Sequence, residues 1–322
     1  MTPILTIIVP VYNHEQYLQE ALQSIEKQNI EYTYEVIIGE DCSSDSSRTV
    51  LKNYQKNTPE NYYYIYRQKN LGMFDNITDL FYRAKGKYII VLEGDDYWLY
   101  DNKINEQVAF LEANMEYCGY AHSVLMVDEN GQVLKEEYLP EKGSGIYTIN
   151  DYLQGKLPGQ TASFMYRNYF FSRSCFKYLE DNKEYPLDRF ISFVVATEGN
   201  IYCTSQKWSA YRYVTQGGTS YSANIQCTSP EFALSALKYH KALYSYTLSE
   251  HCSKKSVKVS EKLYFKSYVR DWISDKDKNI SELISTIKEI KYPITTFIWI
   301  FFQLLKNVES KGKRYEKNND QK

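Results

Sequence analysis

What the chain lacks narrows its chemistry first. Its six cysteines, Cys42, Cys118, Cys175, Cys203, Cys227 and Cys252, lie far apart, with no C-x-x-C pair and no histidine at zinc-ligand spacing. That speaks against a disulfide scaffold or a structural zinc module and for free thiols in a reducing compartment, so the expected location is the cytoplasm. Neither sign of charge is in excess: 38 basic and 40 acidic side chains leave a formal net charge of -2, and nothing at that scale calls for a nucleic-acid partner. The apolar start "ILTIIVPVY" has no positive flank before it and no small-residue cleavage site, so it reads as a first strand and not as a secretion signal. The apolar run of the tail, Ile294 to Leu305, is too short for a membrane span, which takes roughly 20 residues. The 33 tyrosines are spread along the whole chain and carry no functional signal.

What is present is a repeated alternation of two periods. "ILTIIV" (4–9) is a continuous β-branched run, as in a strand buried on both faces, with Asn13 expected to cap a following helix. Leu18, Ala21, Leu22 and Ile25 then recur at three and four residues, a helical stripe, before "YEVII" (34–38) returns to strand. Val50, Leu51 and Tyr54 mark a second helix, "YYYIY" a strand, Phe74, Ile77, Leu80 and Phe81 a third helix, and "KYIIVL" a fourth strand. This pattern predicts an α/β domain with a mostly parallel sheet flanked by helices. Residues 120–222 are mixed, with strand-like pieces "TASFMY" and "WSAYRYV", and the sequence past Ser229 turns helical. The expected division is 1–222, 223–290 and a basic amphipathic tail, 291–322.

Open α/β sheets bind ligands beyond the carboxyl ends of their strands. Three polar clusters fall there: "PVYN" after the first strand, "GEDCSSD" after the second and "EGDD" after the fourth. Glu93, Asp95 and Asp96 repel one another unless a cation lies between them, and hard divalent ions prefer such oxygen ligands while leaving positions open for phosphate. Mg2+ or Mn2+ is therefore the expected cofactor, set against the plainer reading of a solvated acidic turn. Ser43, Ser44 and Asp45 suit the start of the next helix, whereas Asp41 is left for contact with a nucleotide.

These stretches, with "RQKNLG" and the "GTSY" that follows "YR", resemble a family 2 glycosyltransferase of the GT-A fold over residues 3–220, in particular the bacterial polysaccharide and capsule-type subgroup with "EGDDYW" at its metal loop. The resemblance implies an inverting transfer of a sugar from a nucleotide-diphosphate sugar, UDP-linked by analogy, to a hydroxyl of a glycan or lipid-linked saccharide. It implies Pro10, Tyr12 and Asp41 around the base, Arg67 and Asn70 nearby, Asp95 against the donor diphosphate, and Glu93, Asp95 and Asp96 at the metal. Family members carry a basic carboxylate about ninety residues after the metal loop; "EYPLDRF" offers Glu184, the first choice, with Asp188 one turn later. Arg212 is expected at the diphosphate or a carboxylate, although the family's histidine two residues on is Val214 here. Cys42 stands where many relatives have glycine, and Glu93 and Glu184 where they have aspartate. His14 and His122 are expected in structural roles; Thr161 and Ser163 are candidates for sugar contact.

A nucleotidyltransferase would need a Gly-rich basic loop near its start, and a processive synthase a Q-x-x-R-W motif; neither is present. A catalytically degenerate scaffold that binds nucleotide or glycan is the remaining alternative. For the tail two readings stand side by side: a membrane-surface helix with Lys306, Lys311, Lys313 and Arg314 on headgroups, or a helix docked on the protein itself or on a homodimer partner.

Overall fold

The computed structural model describes residues 2–141, 143–170, 175–213, 230–274 and 280–301. The chain divides into two units, Met1–Gln226 and Cys227–Lys322.

The first unit opens with β1 (Leu5–Val11), whose seven residues are all buried. Its neighbours are β2 (Tyr34–Glu40) and β4 (Tyr88–Val91), both parallel to it, and β3 (Tyr62–Tyr66) extends the parallel run beyond β2. A strand flanked on both edges and covered on both faces has no use for alternation, which is why "LTIIVPV" is apolar throughout. The helices α1 (Leu18–Glu26), α2 (Ser47–Tyr54) and α3 (Met73–Arg83) make the crossovers, and Leu18, Ala21, Leu22, Ile25, Phe74, Ile77, Leu80 and Phe81 all point into the core. Burying each large aliphatic or aromatic side chain of such a stripe contributes about 1.5–3 kcal/mol.

Beyond β4 the sheet turns mixed. After the two-residue β5 (Tyr97–Trp98) and α4 (Lys103–Ala113) come β6 (Tyr117–Val127), β7 (Val133–Tyr138), β8 (Gly145–Tyr147), α5 (Ile149–Leu153), β9 (Met165–Arg167), α6 (Leu187–Glu198) and β10 (Asn200–Arg212). The strand order is β3-β2-β1-β4-β9-β6-β10-β5, with β9 antiparallel to both β4 and β6, and β6 parallel to β10. "TASFMY" is thus a 3-10 turn (Thr161–Ser163) leading into β9, and "WSAYR" closes the much longer β10. Asn13 does not cap α1: it lies at φ 56, the helix begins at Leu18, and the Asn13 side chain accepts from the Ser44 N–H instead.

In the second unit the described residues form α7 (Pro230–Ser249), α8 (Lys254–Ser274), α9 (Ile280–Glu289) and a helical stretch, 293–301. Tyr244, Val257 and Tyr264 form its core. Buried Glu261 on α8 accepts from the Tyr292 N–H at 2.9 Å and the Thr296 hydroxyl at 2.5 Å, a carboxylate at the start of the 293–301 helix where the dipole favours it. No helix among the described residues is long and apolar enough to cross a membrane. Val214, "GTSY" and the basic residues from Lys306 onward lie outside the described residues.

At the amino ends of the strands Thr6 donates to Glu35 at 2.6 Å and accepts from the Gly86 N–H at 2.8 Å. A Cβ on Gly86 would lie 2.4 Å from the Thr6 nitrogen and 2.6 Å from the Leu5 carbonyl carbon, backbone atoms that cannot swing aside. Gly86→Ala is therefore expected to cost at least about 1–3 kcal/mol, read as a lower urea midpoint at unchanged slope.

Candidate active site

The loops at the carboxyl ends of β1 to β4 are tied to one another before any ligand is considered. Ser43 and Ser47 hydroxyls accept from the N–H groups of Asn13 and His14, Asp45 accepts from Glu15 and Ser47, and Glu15 accepts from Ser46. Buried Glu40 accepts from the Ser43 N–H and pairs with Arg48 at 2.5 Å, and Arg48 also donates to the Arg67 carbonyl. Asp41 receives the Leu71 and Gly72 N–H groups at 2.8 and 2.9 Å. Burial pushes the Asp41 carboxyl up, against the pull of those two amides and of Arg67. Gly72, at φ +85, supplies the left-handed residue this loop needs.

The acidic loop is fixed by its last member. Asp96 is 1% exposed; its two oxygens accept from the Arg212 N–H at 2.9 Å and the Gln160 side chain at 2.8 Å. Arg212, 3% exposed, donates to the carbonyls of Asp95, Asp128 and Glu129 and to Glu20 at 2.7 Å, with its guanidinium 4.4 Å from the Tyr17 ring centre. Trp98 follows as an anchor, donating to the Ala162 carbonyl at 3.0 Å with the buried Lys103 ammonium 4.2 Å over its ring. Glu93 and Asp95 are left half-buried at the surface.

Their charge is uncompensated. Among the described residues no lysine or arginine pairs with Glu93, Asp95 or Asp96; the nearest cationic candidate is His14, whose Nε2 lies 3.9 Å from Asp95 Oδ1. Desolvation, then Asp95, then Asp188 push the Glu93 carboxyl up to about 8. Asp96 is raised well above the usual range by burial and by the Asp95 and Glu93 charges, and Asp188 is raised by burial against the Arg189 charge. Among the described residues no group of three or more His, Cys, Asp or Glu side chains is arranged to hold a metal ion. The hard oxygens of Glu93 and Asp95 nevertheless suit a divalent ion that takes one or two carboxylates and completes its shell with phosphate.

The expected residues fall into two groups. Pro10, Tyr12, Asp41, Asn70, Glu93, Asp95 and Asp96 lie on or at the ends of β1 to β4; Pro10 also accepts from the Gly94 N–H. Asp188, in the first turn of α6, is close enough to act on Glu93, whereas Glu184 is exposed on the segment before that helix. Arg67 is turned onto Asn76 and Asp79, and Arg212 onto the protein itself. Ser163 is buried with its hydroxyl on the Gln160 carbonyl, and His122 is buried with Nδ1 on the Ser123 carbonyl. His14, expected in a structural role, lies before α1 and not in it, and its imidazole packs on Gly94, where a Cβ would come within 2.6 Å of Nδ1. The signal was the glycine itself, lodged between acids. Gln160 and Glu20 gave none.

Between the ordinary glutamate range and about 8 the folded chain keeps a proton at Glu93 that the unfolded chain has released, so stability falls as pH rises through that window. The melting temperature of metal-free protein should drop from pH 5 to 8, Glu93→Gln should flatten the alkaline part of that drop, and Mn2+ should raise the melting temperature more at pH 8 than at pH 5.

The Glycosyl transferase family 2 model matches residues 6–176. A Campylobacter jejuni GalNAc(5)-diNAcBac-PP-undecaprenol beta-1,3-glucosyltransferase is 29% identical over 168 residues, 49% of this chain and 50% of that protein. An uncharacterised protein of Mycobacterium tuberculosis is 35% identical over 127 residues, 39% of this chain and 37% of its own. The chain thus matches half or less of the length of these relatives. Among solved structures, S. aureus TarS 1-349 in complex with UDP-GlcNAc superposes with a TM-score of 0.59 at 17% identity, covering 90% of this chain and 81% of that one, which shows the GT-A fold. Because the family model spans more than half of the sequence and its carboxyl-edge loops hold the acidic cluster, the chain belongs to glycosyl transferase family 2.

Proposed function

We propose that the protein is an inverting glycosyltransferase that moves a sugar from a UDP-sugar to a hydroxyl of a glycan or lipid-linked saccharide during surface polysaccharide assembly. The observation that carries this reading is the acidic loop after β4, in which Asp95 lies 3.9 Å from His14 and Asp96 is held by Arg212 and Gln160, at the same carboxyl edge of the sheet as the loop that Asp41 orders. The UDP-GlcNAc bound by TarS supports the donor class, and the undecaprenol-linked substrate in the name of the Campylobacter relative supports the acceptor class. The free thiols of Cys42 and Cys118 suit the cytoplasm.

In this reading Asp188 is the base. Burial raises its carboxyl toward the working pH, where a base accepts a proton most effectively. The acceptor oxygen attacks the anomeric carbon as Asp188 takes its proton, the bond to the diphosphate oxygen breaks, and UDP leaves with that electron pair. Glu93 and Asp95, the acids that reach the surface, would hold Mg2+ or Mn2+; when bound, the ion neutralises charge on the leaving diphosphate. Asp96, tied to Arg212 and Gln160, sets the position of that pair. Asp41 shapes the base pocket by holding the 67–72 loop, and Tyr12, 36% exposed, offers a ring face beside it.

Asp188→Asn should lower kcat by about 10²–10⁴-fold with little change in KM for the UDP-sugar, while Glu184→Gln stays near wild type; the reverse outcome moves the base to Glu184. Asp95→Ala and EDTA should each abolish transfer. Donor binding by wild type with no transfer to any saccharide acceptor, and no hydrolysis, would replace the enzyme by a binding scaffold.

A further inference from the structure

Four lysines on α8, Lys254, Lys258, Lys262 and Lys266, follow one another at four-residue spacing and so occupy one side of that helix. Like charges at this spacing repel, and among the described residues none of the four forms an ion pair. The buried Glu261 beside them is engaged by Tyr292 and Thr296. Burial and then the charge of Lys258 push the Lys262 ammonium down, against the pull of Glu261.

Alongside the row lie two amphipathic aromatics. Lys254 and Lys258 stand 5.5 and 5.2 Å from the Tyr292 ring, and Lys262 and Lys266 stand 5.7 and 6.0 Å from the Trp299 ring. The 293–301 helix that carries Trp299 also turns apolar side chains outward: Ile294 is 74%, Ile298 53% and Phe301 59% exposed, at spacings of four and three. Because Glu261 pins the start of this helix to α8, the apolar side is held out beside the lysines and does not fold inward.

We propose that this face of the helical unit is a membrane-docking surface for anionic phospholipid, with the lysine row on the headgroup phosphates, Tyr292 and Trp299 at the interface and Ile294, Ile298 and Phe301 in the acyl boundary. The order basic, aromatic, apolar across the surface matches the order of environments a bilayer presents. Charge selects the occupant, since a second copy of this chain would bring the same lysines against the first.

Flotation of the full chain with vesicles tests this without any nucleotide sugar, so its outcome is separate from the catalytic reading. The chain should float with vesicles containing phosphatidylglycerol, not with phosphatidylcholine alone, and less as salt rises. Lys254→Glu combined with Lys266→Glu, both at exposed positions of the row, should weaken partitioning by at least about 25-fold, at roughly fivefold per lysine lost. Ile298→Ser should weaken it as well, with the melting temperature and UDP binding of each variant unchanged, as suits exposed positions. Equal binding to neutral vesicles, or full binding by the lysine variant, overturns the proposal. So does an Ile298-dependent dimer in sedimentation with no vesicle binding, which would assign the face to a second copy.

Discussion

The carboxylate of Asp96 holds the two halves of the sheet in register at the point where chemistry is expected. One oxygen takes a backbone N–H from the end of β10 and the other a side-chain N–H from Gln160, just before β9. A buried acid accepting two hydrogen bonds is stable only while both donors stay in place, because an unmatched buried polar group costs about 1–3 kcal/mol. The loop between β4 and β5 therefore has little freedom. Arg212 adds to the constraint through the Asp95 carbonyl, and its clamp reaches α1 through Glu20.

That rigidity lets like charges stand together. Glu93 and Asp95 would part if the loop could relax, yet Gly94 between them donates its N–H to the Pro10 carbonyl of β1, and the Asp95 carbonyl accepts from Arg212 at the end of β10. Burial first, and then the Asp95 charge, push the Glu93 carboxyl up, and a proton or a cation at this corner relieves both. At the end of β2 Asp41 works by the same means: two backbone amides converge on one carboxylate and order the 71–72 loop.

The parallel half of the fold was legible because its signals are local. The β-branched run of β1 and the stripes of α1 and α3 state their burial within a dozen residues. The mixed half was not: β6 combines Gly119, His122 and Ser123 with apolar residues, and only pairing with β9 and β10, far along the chain, makes it a central strand. The acids of the site could be named from position after a strand, but not their division of labour. Whether Asp96 faces solvent or Arg212 is decided by a residue 116 positions away. In the same way, "EYPLD" shows two carboxylates, and only the start of α6 at Leu187 brings Asp188 toward Glu93.

The same long tie fixes an order of assembly. The β1–β4 half is complete in sequence by Val91, but the Arg212 amide that seats Asp96 is made more than a hundred residues later, as is the guanidinium that reaches back to Glu20. A chain emerging from the ribosome can therefore build its first βαβ units while its acidic rim is still unseated. The last described strand thus completes a corner whose acids were laid down early, and until it is made the loop after β4 has nothing to lock against.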